Sequence, residues 1–448
     1  MSKEKEPGGN SFKPVASKEF SKGKSVEKYA LENGLTVIVL EDHSAPVFSF
    51  QTWFKVGSRF EKKGKTGIAH LFEHLMFKGT EAYPHGVFDR ILEESGAQSN
   101  AATWLDWTYY YENIGSEFLE LVVKLESDRM KNLILNEEQL ASEREVVKNE
   151  RRLRVDNDPY GKMYETLFEL AFQSHPYGLP TIGYMEDLDA ITLKDCLEFY
   201  RLYYSAGNAI LVVVGDVKTG ELLKLIDKYY GKYGKEKIPP EKEVKEPAKK
   251  EKKSVTLTLP VSSEKIKIAY RVPPVMHKDV PALEVLNEIL LGSDSSLIYK
   301  KLVEDLQIAA YAAGWVGSLA RDGIYEISIT MREGFKASEA EKAVDEIISG
   351  AASGKIKESD VEKAKNKLEI DLIRSLYSFG SRASQLGYYE ATTGDFSDFF
   401  EVMHKYSEVS KDDVVNAAKK YLGAEGKSVV TAVPSGVKHD GDENDEGE

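Results

Sequence analysis

The chain is nearly free of cysteine. Its 448 residues hold one, Cys196, so no intramolecular disulfide can form. Cys196 lies in LKDCLEFYRLYY, a helical stretch, and reads as a packing residue rather than a catalytic thiol. Long apolar runs are also missing: nothing approaches the roughly 20 residues that span a bilayer. Residues 1–20 (MSKEKEPGGNSFKPVASKEF) have no hydrophobic core, so they read as neither signal peptide nor anchor. The compartment expected on that basis is the cytoplasm, or the periplasm if a leader has been removed. No membrane partner is expected. Positive charge is in deficit: 60 Lys and Arg against 74 Asp and Glu leave a formal charge of −14. Nucleic-acid binding requires clustered positive potential and is excluded on that ground. Part of the acidity sits in the tail DGDENDEGE from Asp440, which reads as solvated and disordered.

What is present fits a globular protein of two or three domains, 42% hydrophobic and 30% charged. Residues 231–254 (GKYGKEKIPPEKEVKEPAKKEKKS) bury almost nothing and read as a charged linker. The chain then divides into a flexible leader (1–24), a first domain (25–230), the linker, a second domain (255–435) and an acidic tail (436–448). In the first domain, strands fit TVIVL (36–40), VFSFQTWFKV (47–56), TYYYENI (108–114) and AILVVVGDV (209–217), with helices between and after them. The second domain repeats the order: strands near 255–259, 266–270, 309–316, 325–331 and 429–433, helices near 282–291, 295–304, 338–348 and 358–376. Strands in runs and then helices in runs predict an α+β class. It is expected as two homologous α/β sandwich domains, each a mainly antiparallel sheet with helices on one face.

Eight histidines are few, yet two fall in one short stretch, His70-Leu71-Phe72-Glu73-His74. On a helix, residues four apart project from one face, one turn apart. Two imidazoles so placed can hold one zinc ion, and Glu73 can take a proton from the water that the ion activates. The order is H-x-x-E-H, the inverse of the commoner metalloprotease helix. A catalytic zinc needs a third protein ligand. The best source is NEEQLASEREVVKNERRLRV (136–155), a strong helix former with Asn136 as N-cap. Glu143 and Glu150, seven apart, share a face. One can ligate while the other supports the site from behind.

With both elements in view, the chain resembles the pitrilysin/insulinase family of inverted-motif zinc peptidases. The likeness is to the short two-domain form that includes the mitochondrial-processing-peptidase-like proteins of bacteria, and it runs from ENGLTVIVLED to the last strand. The family carries a ligand glutamate on an E-R-x-V-V-x-x-E helix, which here reads Glu143-Arg144-Glu145-Val146-Val147-Lys148-Asn149-Glu150. The resemblance implies His70, His74 and Glu150 as ligands of one Zn2+ per chain, Glu73 as general base and Glu143 as accessory glutamate. It implies that Ser99, Asn100 and Ala101, in GAQSNAATWLDWTYYYE, form an edge strand that a peptide extends through main-chain hydrogen bonds. In SRASQLGYYE (381–390), Arg382 and Tyr389 resemble the family's Arg–Tyr pair, with arginine on the substrate backbone and tyrosine on the oxyanion. Tyr388 is adjacent, and the choice between the two tyrosines stays open here.

The implied activity is a metalloendopeptidase acting on peptides or unfolded segments. One chain carries both the zinc motif and the Arg–Tyr pair. That predicts a homodimer whose halves enclose a chamber, each site completed by the partner's second domain. The processing-peptidase partner subunit has a long glycine-rich loop, whereas Leu290–Ser296 here contains one glycine, which favours a general peptidase. The alternatives are a non-catalytic structural or assembly subunit, or the catalytic subunit of a heterodimer. Retention of His70, Glu73, His74 and Glu150 argues against the first.

Overall fold

Alternating apolar residues build two sheets in the computed structural model, which describes residues 12–234, 238, 243–248 and 251–436. The acidic tail from 437, the first eleven residues and parts of the expected linker lie outside the described residues. The first sheet contains β1 (Ala16–Ser21), β2 (Lys24–Ala30), β3 (Thr36–Glu41), β4 (Val47–Phe54), β5 (Gln98–Thr103), β6 (Thr108–Gly115) and β7 (Ala209–Gly215). Its order is β1-β2-β3-β7-β4-β6-β5, antiparallel except for the β3–β7 pair. The second contains β8 (Lys253–Leu259), β9 (Lys265–Val272), β10 (Ala309–Gly317), β11 (Gly323–Met331) and β12 (Ser428–Pro434). It runs β10-β11-β9-β12-β8, with β12 and β8 parallel. Read from β8, this repeats the path β3-β7-β4-β6-β5 strand for strand. The class is α+β, built from two copies of one pattern, and β10 is the counterpart of the edge strand β5.

Two expectations change. Residues 16–23 belong to β1 and its turn rather than to a leader, and Lys24 opens β2, because β1 is held by backbone pairing to β2 while its side chains, Phe20 apart, stay exposed. That leaves little apolar signal to read in the sequence. The helices also cover both faces of each sheet, not one. In the first half, one face of the sheet packs on Leu71, Phe72, Val122, Leu125 and Val147 of the half's own helices. The opposite face, with Ile38, Trp53, Ile210 and Val212, packs on Ala383 and Leu386 from the second half. The reverse holds in the second sheet. Its face bearing Ala269, Val430 and Ala432 packs on Met163, Leu167 and Phe168 from the first half. Each half thus lends one helix to the other's sheet.

Candidate metal centre

The His–Glu–His stretch lies on α1 (Ile68–Leu75). Ile68, Ala69, Leu71, Phe72 and Leu75 are buried against the sheet, which turns His70, Glu73 and His74 to the other side of the helix. The helix begins at Gly67, whose φ of +89° favours glycine. A Cβ there would stand 2.7 Å from the Ile182 carbonyl oxygen. The first turn is capped from a distance. Glu61 accepts from the backbone N–H of Gly67 and Ala69, both at 2.8 Å. Asp187 accepts from the N–H and hydroxyl of Thr66 at 3.1 and 2.7 Å. Glu61 thereby satisfies N–H groups that have no partner within the helix, and Asp187 fixes the residue that leads into it.

The second element is α2 (Glu137–Arg151), capped by Asn136, whose side chain accepts from Gln139 N–H at 2.9 Å. It carries Glu143 and Glu150 to the His face of α1. Glu150 Oε2 stands 3.3 Å from His74 Nε2 and 3.6 Å from His70 Nε2. Ligand atoms of His70, His74 and Glu150 all lie within 4.8 Å of one another, and this is the only such cluster among the described residues. Tetrahedral zinc with bonds of about 2.0–2.1 Å sets neighbouring ligand atoms roughly 3.3 Å apart. The donor set, two imidazoles and one carboxylate, and its spacing both fit zinc. Glu143 stands behind His74, with Oε2 3.5 Å from Nδ1, and is itself ion-paired to Lys78. His70 Nδ1 is buried without a hydrogen-bond partner, so the ring is held by packing, including an edge contact with His74, and by Glu150 at Nε2.

Electrostatics follow from this crowding. Burial, and then the neighbouring His74, hold the His70 imidazole down to about 4. Burial also lowers His74, but Glu143 and Glu150 outweigh it and push it up to about 9. Burial raises Glu73 above the usual carboxylate range, opposed by hydrogen bonds from Thr103 and by the charge of His74. A carboxyl raised in this way is a stronger base than a free one, which suits a proton acceptor beside the cluster. Cys196 is buried and its thiol is pushed up to about 12, consistent with packing and not with a nucleophile.

Thr103 is the last residue of β5, so Glu73 meets the end of the sheet's edge strand. Among the described residues β5 pairs only with β6, leaving its other edge free. Ser99 and Asn100 on it are exposed and Ala101 is half-buried. Beside His70 and Glu150 opens a cavity of about 470 Å³ walled by Trp104, Tyr164, Phe168 and Leu179. The structure thus brings together His70, Glu73, His74, Glu143, Glu150 and the edge strand. It does not bring Arg382 or Tyr389 to them. Both lie on α3 (Phe379–Thr393), on the opposite face of the same sheet. Arg382 pairs with Asp42 at 2.7 Å and donates to the Leu376 carbonyl at 2.7 Å. Tyr389 packs against Phe399 in the core, and Tyr388 donates to the Ser318 carbonyl at 2.9 Å. The spacing that suggested a presented pair is the spacing of an inward face. Glu61, Lys78 and Thr103 are site residues that sequence spacing did not reveal, because each reaches the site from outside its two helices.

Two family models match the chain: "Insulinase (Peptidase family M16)" over residues 36–184 and "Peptidase M16 inactive domain" over residues 190–368. The chain is 32% identical over 400 residues to a zinc protease, PqqE, of Helicobacter pylori, covering 88% of this chain and 90% of that one. It is 24% identical to an uncharacterized zinc protease, YmxG, of Bacillus subtilis, over 92% of this chain and 99% of the other. A crystal structure of a protease from Helicobacter pylori superposes with a TM-score of 0.88 at 31% identity, covering 91% of this chain and 99% of that chain. A peptidase M16 inactive domain from Pseudomonas fluorescens shares the fold, with a TM-score of 0.83 at 18% identity over 91% and 98% of the two chains.

Proposed function

The chain belongs to the insulinase family of M16 peptidases, and on that premise we propose that it is a zinc-dependent endopeptidase acting on extended peptides. The observation that carries this reading is the convergence of His70, His74 and Glu150, with Glu73 beside them and a free strand edge alongside. His70, His74 and Glu150 would hold zinc, which when bound supplies a Lewis acid for the scissile carbonyl and acidifies the attacking water. Glu73 takes the water's proton and passes it to the leaving amine. Glu143 fixes the His74 ring through Nδ1, and Lys78 fixes Glu143. The peptide backbone pairs with Ser99, Asn100 and Ala101 along the free edge of β5. Substrates must therefore be extended: peptides or unfolded segments rather than folded proteins. Arg382 and Tyr389 are engaged inside the chain, and no oxyanion role is assigned to them. The assembly we propose is a homodimer. Ile370, Ile373 and Tyr377 are exposed apolar residues that a second copy would cover. Sedimentation showing a fully active monomer would remove that part.

The activity is tested with a pool of quenched-fluorescent peptides. Cleavage that stops with a chelator and returns with one equivalent of zinc per chain supports the reading. A chain that takes up zinc and cleaves no peptide overturns it and favours a structural subunit.

A further inference from the structure

Two of the walls of the cleft beside the metal cluster are rooted in one buried polar knot, and the second half of the chain is tied into it. Asp106 is 3% exposed. Its Oδ1 accepts from Arg59 Nε at 2.6 Å and from the Tyr177 hydroxyl at 2.7 Å. Its Oδ2 is 3.0 Å from the same hydroxyl and accepts from the Ala320 backbone N–H at 3.0 Å. The Tyr177 oxygen in turn accepts from the Arg321 backbone N–H at 3.1 Å. Ala320 and Arg321 lie in the turn between β10 and β11, so these last two bonds cross from one half to the other.

The neighbours of the knot along the chain line two sides of the cleft, while Tyr164 and Phe168 line another. Thr103, Trp104 and Leu105 lead from β5 into Asp106 and line the first wall. Gly178 to Ile182 follow Tyr177 and line the second. The segment carrying Arg59 is stitched to the first wall by Ser58 N–H to the Trp104 carbonyl at 3.1 Å and Arg59 N–H to the Leu105 carbonyl at 2.9 Å. It is stitched to the second wall by the Ser58 and Thr181 hydroxyls at 3.2 Å. From the second half, Leu319 packs in one cluster with Leu105 and Tyr177. None of the three knot side chains is among the metal-ligand cluster.

We infer that Arg59, Asp106 and Tyr177 are positioning residues for the peptide. They set the gap between the two walls, and through Ala320 and Arg321 they make that gap depend on the second half. The second half, which has no H-x-x-E-H, then contributes to substrate binding without supplying a metal ligand. A buried, charged hydrogen-bonded network suits this task, since it defines one arrangement and is costly to leave half-satisfied.

This inference rests on the proposed peptidase reading, and its test separates the two. Tyr177→Phe removes the hydroxyl that joins Asp106 to Arg321 with little change of shape. Asp106→Asn weakens the whole knot. Hydrogen exchange is measured on both variants, along with zinc affinity, KM and kcat. The inference expects faster exchange in 103–107, 178–182 and 318–322 together, with α1 and α2 unchanged. Loosening of the gap is expected to raise KM roughly fivefold to tenfold, with kcat and zinc affinity within about twofold. Exchange that changes only next to the mutated residue overturns the inference, as does an unchanged KM or a fall in zinc affinity matching the fall in activity. If the wild-type protein cleaves no peptide, the peptidase reading fails while the exchange pattern still decides the coupling. Should Asp106→Asn fail to fold, Tyr177→Phe decides alone.

Discussion

Glu143 is the residue whose role is easiest to misjudge. It shares a helix face with Glu150, yet only Glu150 reaches between the two imidazoles, while Glu143 stands behind His74 and pairs with Lys78. Losing such an orienting carboxylate typically weakens a metal site about 10–100-fold. Glu143→Ala is accordingly expected to keep the fold and lower zinc affinity by that factor in a chelator competition; unchanged affinity would deny it the role. A second residue, far from the cleft, predicts how stability varies with pH. Burial pushes Glu284 up to about 7, against a hydrogen bond from Tyr406 at 2.5 Å that lowers it. Because its folded value lies above its unfolded one, the native state holds the proton more tightly between about pH 4.5 and 7. Stability therefore falls as pH rises through that window, by a few kcal/mol at most. Glu284→Gln should be more stable than wild type in urea at pH 8 and gain nothing at pH 4. An equal effect at both would show that Glu284 does not titrate as inferred.

At the scale of elements, α1 shows what spacing can and cannot reveal. Its apolar residues at 68, 69, 71, 72 and 75 dictate one buried face, and this alone puts His70, Glu73 and His74 together. The Asn136 cap and the seven-residue interval from Glu143 to Glu150 were legible for the same reason: each is a local pattern on one helix. The cap of α1 was not, because Glu61 lies six residues before Gly67 and reaches forward to it across a turn. Nor was the inward turn of Arg382 and Tyr389, since a helix face that packs and one that is presented have the same period. Removing the distant cap gives a direct test. Glu61→Ala should cost about 1–2 kcal/mol, the usual worth of a cap, and weaken zinc binding because α1 loses its seat. A stability loss with full zinc affinity would mean that the cap serves the fold only.

For the whole molecule, the exchange of helices is the main departure from the sequence reading. The repeated strand order was visible as matching apolar runs. The exchange was not, because a helix amphipathic enough to cover its own sheet is equally able to cover its neighbour's. Met163, Leu167 and Phe168 on the second sheet bury roughly 5–9 kcal/mol of apolar transfer energy before ordering costs are subtracted. Glu246 adds to the tie, accepting from the N–H groups of Gln173, Ser174 and His175. A single proteolytic cut between Gly234 and Glu243 should therefore leave two fragments that co-elute in gel filtration. A first half expressed alone, ending at Gly234, should not fold to a native-like stability. Separation of the nicked fragments without denaturant would contradict this.

The central claim is that His70, His74 and Glu150 hold zinc while Glu73 moves the proton. The most direct measurement is zinc content and peptide cleavage in Glu73→Gln beside wild type. The account predicts one zinc per chain at wild-type affinity, with cleavage slowed at least about 100-fold, as for loss of a general base. A Glu73→Gln protein that cleaves at the wild-type rate, or one that loses its zinc, would contradict it.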